Sequence, residues 1–293
     1  MKILITGASG FIGKLLVAKL AEVNSLYYIT RGDVLPEVTN ATPIHVNLCD
    51  EKMVGMLPTD VECIVHLAQS RYHRDFPSKA EDIFDINIKA TFHLLEWARQ
   101  VNIKHFIYTS SANVYAQSEG PYKESSYTNP NSFYGASKLI AEELVKQYQH
   151  YFRTSILRLF TVYGAGQTNA LIPNIIERIQ SKSEITLAGG NGVHLTPINV
   201  CDVVNVISHV IHSDNPNSCQ TVNICGDQNV TLFEIIQILE RLLGINAYIR
   251  TTTENQLYFM GSNDKLKTLL NCYEFVKIER GLRDFVMPDL SES

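Results

Sequence analysis

The sequence predicts an α/β protein: a doubly wound parallel sheet over the first half, followed by a smaller mixed α/β C-terminal domain. Three observations carry that prediction. Short β-rich apolar runs alternate with helix-length amphipathic segments, the order that gives right-handed βαβ crossovers. Several of those runs lack polar alternation, as strands covered by helices on both faces do. The alternation fades after Gly164, where turn residues and shorter patterns take over.

Taken in order, the predicted strands are Lys2–Thr6, Leu26–Thr30, Pro43–Asn47, Cys63–Leu67, His105–Thr109 and Thr154–Leu159. Helical patterns lie between them near 11–23, 81–102 and 132–152. A helix near 171–182 precedes the turn-rich Gly189-Gly190-Asn191-Gly192, and helices near 202–212 and 231–243 lead into a mixed tail. The expected division is a first domain over 1–165, with a segment near 195–212 returning to it, and a second over 166–293. No repeat, low-complexity stretch or Pro/Ser-rich linker separates them.

Composition narrows the function classes. With 25 Lys+Arg against 30 Asp+Glu the net charge is −5, which gives no general attraction to nucleic acid or to an anionic membrane. A hydrophobic fraction of 45% and a charged fraction of 19% are those of a folded globule. No apolar run approaches the roughly 18 residues that span a bilayer. The chain turns into a glycine loop directly after its first strand, which reads as no signal peptide. Cys49, Cys63, Cys201, Cys219, Cys225 and Cys272 form no CxxC pair and read as reduced thiols. The expectation is a cytoplasmic protein with no metal site.

Chemistry enters at the N-terminus. Gly7, Gly10 and Gly13 follow a strand and open a helix, in a GxxGxxG spacing. Glycine there permits a tight turn and lets backbone N–H groups approach a pyrophosphate at the positive pole of the helix. Strand, loop and helix in that order predict a dinucleotide-binding, Rossmann-type domain.

A second constellation lies at Tyr134 and Lys138, spaced i, i+4 and therefore on one helix face. An ammonium beside a phenol stabilises the phenolate, so the pair predicts a tyrosine loosened towards acid/base use. Ser111 follows the strand at 105–109, at the C-terminal sheet edge where ligands bind such folds. There it would orient a reacting carbonyl or hydroxyl towards Tyr134.

These residues resemble an extended short-chain dehydrogenase/reductase of the NAD-dependent epimerase/dehydratase type, whose members act on nucleotide sugars. The likeness extends through Val65-His66-Leu67-Ala68, Asn87-Ile88-Lys89-Ala90-Thr91 and Arg158-Leu159-Phe160-Thr161-Val162-Tyr163-Gly164. It continues to Val200-Cys201-Asp202-Val203, Asp264-Lys265-Leu266-Lys267 and Gly281-Leu282. The resemblance implies that Tyr134 donates and accepts the proton, that Lys138 also binds the nicotinamide ribose, and that Ser111 holds the reacting oxygen. It implies that Gly7, Gly10, Phe11, Ile12 and Gly13 surround the pyrophosphate. Leu67, Ala68 and Gln69 would pass along the cofactor, and Asn87 would brace the sheet.

Departures from the family pattern shape the rest. The second strand ends without the usual acid for the adenosine ribose, and Arg31 follows it. A guanidinium suits a 2′-phosphate, so the cofactor reads as NAD or NADP. Asn47 and Leu48 stand in the third-strand motif that lines adenine, with Asn47 in place of an aspartate. Substrate contacts are expected from Ser111, Ala112, Asn113, Tyr134, Thr161 and His194. Thr161 replaces a common asparagine, and His194 lies where a diphosphate-binding arginine is frequent.

Ala112-Asn113 lack the carboxylate pair of family dehydratases, which disfavours elimination of water. What remains is a nucleotide-sugar epimerase or 4-ketoreductase. A reductase of another carbonyl substrate and a non-catalytic dinucleotide-binding regulatory or scaffold protein stand as alternatives. A homodimer is expected through the helices near 81–102 and 132–152, with Ile83, Ile86, Phe92, Leu95, Ile140, Leu144 and Tyr148 supplying apolar surface.

Overall fold

A strand that is apolar on both faces belongs in the middle of a covered sheet. β1 (Lys2–Thr6) is such a strand, buried from Ile3 to Thr6. In the computed structural model, which describes residues 1–32, 38–213 and 219–287, it is central. After β1 come α1 (Phe11–Ala21), β2 (Ser25–Thr30), β3 (Ala41–His45), β4 (Cys63–His66), α2 (Ala80–Phe84) and α3 (Ala90–Gln100). β5 (His105–Ser111), α4 (Phe133–Gln147) and β6 (Arg153–Leu159) follow. β1 pairs in parallel with β2 through Ile3–Leu26 and with β4 through Ile3–Cys63. β2 with β3, and β4 with β5, are parallel as well.

The later elements are β7 (Val162–Tyr163), α5 (Leu171–Gln180), β8 (Glu184–Ala188), β9 (His194–Leu195), β10 (Ile198–Asn199), α6 (Val200–His212) and β11 (Cys219–Ile224). Then come β12 (Val230–Thr231), α7 (Leu232–Leu243), β13 (Tyr248–Thr252), β14 (Tyr258–Phe259), α8 (Asp264–Leu270) and α9 (Ile278–Val286). β11 completes a seven-stranded sheet in the order β11-β6-β5-β4-β1-β2-β3. The chain starts at β1 and winds outward in both directions, so the order reverses between β1 and β4. That is the crevice where open α/β sheets take ligands.

Two compact units divide the chain. The first comprises Met1–Ala116, Ser126–Arg158 and Val204–Val222, and the second Gln117–Ser125, Leu159–Val203 and Asn223 onward. The first unit buries Leu4, Ile64, Leu94, Phe106, Val145 and Ile156 in one apolar cluster. The second packs α5 and α7 through Ile172, Ile175, Ile179, Ile235, Ile236 and Leu239. α7 begins with a reciprocal capping box between Thr231 and Glu234 and ends at left-handed Gly244.

Some boundaries differ from the sequence reading. β3 begins two residues earlier than expected and stops at His45, so Asn47 lies in the following turn. Pro43 sits within β3, and a proline is tolerated there because β3 is an edge strand. The helix expected near 81–102 is broken by a π-helical turn at Asp85–Lys89. The edge strand β11 was not anticipated, because Gln220, Thr221 and Asn223 hide its apolar pattern.

The apolar surface assigned to dimerisation is also smaller than expected. Ile83, Ile86, Leu95 and Tyr148 are buried within their own chain, and Leu144 packs against the core. Phe92 and Ile140 remain exposed, at 42% and 47%.

Candidate active site

The glycine loop is held by its own backbone. Gly7 has φ +71°, and a Cβ there would lie 2.7 Å from the Ala68 nitrogen and 2.9 Å from the Leu67 carbonyl carbon. A Cβ on Gly13 would collide with the Gly7 oxygen and with Ala8. The loop therefore packs onto the turn after β4, with Gly7 against Leu67 and Ala68 and with Gly10 and Gly13 against Gly7 itself. Gly10 donates its N–H to the Gly7 carbonyl at 3.0 Å and forms the N-cap of α1. No side chain caps that helix and no acid lies in its first turn. Its first N–H groups therefore lack a side-chain cap, and its own first turn offers no acid to the positive pole.

Behind the loop runs a chain of buried hydrogen bonds whose direction is determined. The Ala68 N–H donates to Thr6 Oγ1 at 3.1 Å, and Thr91 donates its hydroxyl to the Asn87 carbonyl at 2.8 Å. Thr91 Oγ1 then accepts from His66 Nε2 at 3.0 Å, and Thr6 gives its proton to His66 Nδ1 at 2.6 Å. His66 is neutral, its pKa pushed down to about 3 chiefly by burial and secondly by the nearby Lys138 charge. Asn87, in the π-helical turn, accepts from the Ser70 N–H at 2.9 Å and donates to Ser137 Oγ at 2.9 Å. Ser137 donates in turn to the Tyr134 carbonyl at 2.7 Å. The glycine loop and α4 are thus tied through buried side chains of β1, β4, the π-helical turn and α3.

α4 starts at Phe133 because Ser132 accepts the Gly135 N–H at 3.1 Å. A Cβ on Gly135 would clash with the Asn113 carbonyl, so the helix start lies directly on the segment after β5. Tyr134 is half-buried and donates its hydroxyl to Gln69 Oε1 at 2.7 Å. Its ring packs against that of His73, centroids 5.3 Å apart. Ser111 Oγ accepts the Asn113 backbone N–H at 3.2 Å and the Asn113 side-chain amide at 2.9 Å.

Lys138 is only 1% exposed and sits over the Tyr108 ring at 4.5 Å. It makes no ion pair among the described residues. Burial lowers its pKa to about 7, against the opposing pull of Glu142. One turn further along α4, Glu142 is fully buried in a two-pronged pair with Arg158, at 2.9 Å and 2.6 Å.

One expectation needs correction. Tyr134 was expected below its ordinary value, yet burial pushes it up to about 12, and only the Ser111 hydrogen bond pulls it down. Desolvation is the larger of the two effects and sets the direction.

At the far edge, Arg31 is exposed just past β2. It lies close enough to act on the Cys49 thiol, which burial pushes up in the company of Asp85 and Asp82. Asn47, exposed, accepts the Cys49 N–H on its Oδ1 at 3.2 Å. The first unit thus carries Arg31, Asn47, Leu48, Leu67, Ala68, Gln69, Ser111, Ala112, Asn113, Tyr134 and Lys138 together with the glycine loop.

Thr161 and His194 belong to the second unit. There the Thr161 carbonyl accepts from Ile198 at 2.9 Å. His194 Nε2 is bonded to Gln256 at 2.8 Å, and its ring stacks on Tyr258 at 4.7 Å. Among the described residues, no three His, Cys, Asp or Glu side chains gather as metal ligands, and no helix is long and apolar enough to cross a membrane.

Comparison with known proteins agrees with this architecture. The sequence model described as "NAD dependent epimerase/dehydratase family" matches residues 3–225. A protein described as uncharacterized UDP-glucose epimerase YtcB of Bacillus subtilis is 29% identical over 271 residues, covering 84% of both chains. A UDP-glucuronate 4-epimerase of Thermodesulfobacterium geofontis is 27% identical over 304 residues, covering 96% of this chain and 93% of its own. Among solved structures, UDP-glucuronic acid 4-epimerase from Bacillus cereus, in complex with UDP-glucuronic acid and NAD, superposes with a TM-score of 0.88. It is 23% identical and covers 97% of this chain and 98% of its own, a likeness of fold.

Proposed function

The chain belongs to the NAD dependent epimerase/dehydratase family, and we propose that it is a nucleotide-sugar epimerase that uses a bound nicotinamide dinucleotide. The observation that carries this reading is a buried lysine with no ion pair among the described residues, Lys138, one turn from a tyrosine beside a strand-end serine. A dinucleotide fits these residues. The uncapped start of α1 offers N–H groups to a pyrophosphate. Lys138, desolvated and with no ion pair among the described residues, suits ribose hydroxyls that accept its protons.

When bound, the nicotinamide supplies the acceptor and donor of a hydride at the sugar carbon. The protein moves the proton. Tyr134 takes it from the sugar hydroxyl as the carbon is oxidised and returns it when the carbon is reduced from the other face. Ser111 hydrogen-bonds the same oxygen, and the Lys138 field favours the phenolate that accepts the proton at the start and is regenerated when the proton is returned. Ala112 and Asn113 supply no carboxylate for elimination, which separates this reading from a dehydratase.

Relatives bearing UDP-sugar epimerase names make a uridine diphosphate sugar the first substrate to try, and NAD the first cofactor. Arg31, exposed just past β2, favours a second reading, a reductase using NADPH, because a guanidinium there suits a 2′-phosphate. One assay separates the two. The enzyme is incubated with candidate sugar nucleotides and each dinucleotide, following reduced nicotinamide by absorbance and the sugar by NMR. Interconversion of C4 epimers without net cofactor turnover is expected. Stoichiometric loss of NADPH would establish the reductase, and no binding of either dinucleotide would overturn both readings.

A homodimer through the exposed Phe92 and Ile140 belongs to the same proposal. Light scattering reads it directly.

A further inference from the structure

A hydroxyl carries one proton and two acceptor lone pairs, so filling either side fixes what it does next. Ser111 Oγ accepts two N–H groups from Asn113, one from the backbone at 3.2 Å and one from the side chain at 2.9 Å. Both lone pairs are then used, and its proton points away from Asn113. Tyr134 spends its own proton on Gln69 Oε1 at 2.7 Å, so its lone pairs are the side left to accept.

Asn113 is not free to drift, because its carbonyl lies against Gly135 at the start of α4, next to Tyr134 itself. Gln69 is fixed from the other direction. It follows Ala68, whose N–H is bonded to Thr6 and whose backbone packs on Gly7.

We infer that Gln69 and Asn113 are positioning residues that set the polarity of the catalytic pair. Asn113 makes Ser111 a donor, and Gln69 holds Tyr134 as a donor in its resting, protonated state. This rests on the proposed acid/base role of Tyr134. The two amides act on the phenol in opposite senses. Gln69, an acceptor, favours the phenol. Asn113, through the Ser111 proton, favours the phenolate, in keeping with the downward pull of Ser111 on the Tyr134 pKa. The other titratable groups facing Tyr134 are Lys138 on its own helix, His73 packed on its ring, and Tyr108 from β5. None is altered by the substitutions below.

The experiment uses Gln69→Leu and Asn113→Asp in the full chain. A carboxylate at 113 accepts from Ser111 and reverses its polarity, whereas leucine at 69 removes the acceptor for the tyrosine. Reduction of bound NAD in a single turnover with the sugar nucleotide is followed against pH. The acid limb is expected to move down in Gln69→Leu and up in Asn113→Asp, each by about half a unit to one unit, the size of one hydrogen bond. A merely structural role would lower the rate in both without opposite displacements. Limbs that stay put, or that move together, would overturn the inference.

A second readout needs no substrate. In enzyme labelled with carbon-13 at the tyrosine hydroxyl-bearing carbon, the Tyr134 resonance is assigned by its loss in Tyr134→Phe. Losing a donated bond moves it away from the phenolate position, and losing an accepted bond moves it towards that position. Opposite displacements in the two variants support the assignment, and an unmoved resonance refutes it. If the wild type reduces no NAD with any sugar nucleotide, the epimerase reading fails while this measurement still decides the polarity.

Discussion

Tyr134, Lys138 and Ser111 were legible because spacing alone puts two of them on one helix face and the third at a strand end. Their partners were not. Gln69, His73 and Tyr108 meet Tyr134 or Lys138 only after β4, β5 and α4 are packed together, and no sequence period encodes that meeting. Tyr134→Phe is expected to lower turnover by roughly 10²–10⁴-fold, the range for a general acid/base, while cofactor binding persists. Turnover and dinucleotide titration on the purified variant check it, and near wild-type turnover would refute the role. Lys138 makes a different prediction. An ammonium buried to 1% exposure, with no ion pair among the described residues, is costly, and under the proposed function that cost is carried for chemistry. Lys138→Met keeps the length of the side chain and removes the charge. It is expected to abolish turnover and yet raise the stability of the ligand-free protein by about 1–3 kcal/mol, in the range seen when buried charges give way to apolar groups. Denaturant titration without cofactor decides it, and a lowered midpoint would contradict the argument.

Among elements, α4 shows how far periodicity reaches. Tyr134 and Lys138 continue the same i, i+4 series to Glu142, and the series alone could have flagged a third functional position on that face. What it could not supply is Arg158 on β6, which meets Glu142 at 2.6 Å across a long sequence separation and lies on the Tyr115 ring at 4.7 Å. Such a pair resists removal of one partner more than removal of both, because an unpaired buried charge is left behind. Arg158→Met is expected to destabilise by about 3–5 kcal/mol, and adding Glu142→Gln should recover a large part of the loss. A double-mutant cycle in urea measures this; strict additivity would mean the pair is not coupled. The glycine loop was legible for the same local reason that makes it fragile. Gly13 has no room for a methyl group between the Gly7 carbonyl and Ala8, so Gly13→Ala must displace the loop. Elements lost to the reading were those without a period: two-residue strands such as β9 and β12, and β11, where polar residues interrupt the apolar ones.

At the level of the whole molecule, the parallel sheet was readable from apolar runs that alternate with helices, because each βα step is a local pattern. The second unit was not readable in detail, since its order arises from packing of α5 and α7 over short strands rather than from repetition. A global property nevertheless follows from two histidines in the sheet of the first unit. His66 is enclosed by Thr6 and Thr91, and His105 accepts from Arg153 at 2.7 Å and is bonded to Ser155 at 2.9 Å. Neither ring has a free nitrogen for a second proton, and burial brings both pKa values down to about 3 from an ordinary 6.5. The unfolded chain therefore binds more protons than the folded one over that interval. Stability from these two groups is fully present above about pH 6.5 and is lost as the pH falls towards about 3. Between about pH 7 and about pH 5.5 the two together should remove roughly 2.5 kcal/mol, before paired carboxylates such as Glu62 and Glu96 begin to titrate. Urea unfolding at several pH values measures the slope, and His105→Gln should reduce it by about half, since that histidine is one of two equal contributors. A flat stability from pH 7 to 5.5 would mean that these imidazoles accept protons without leaving their sites.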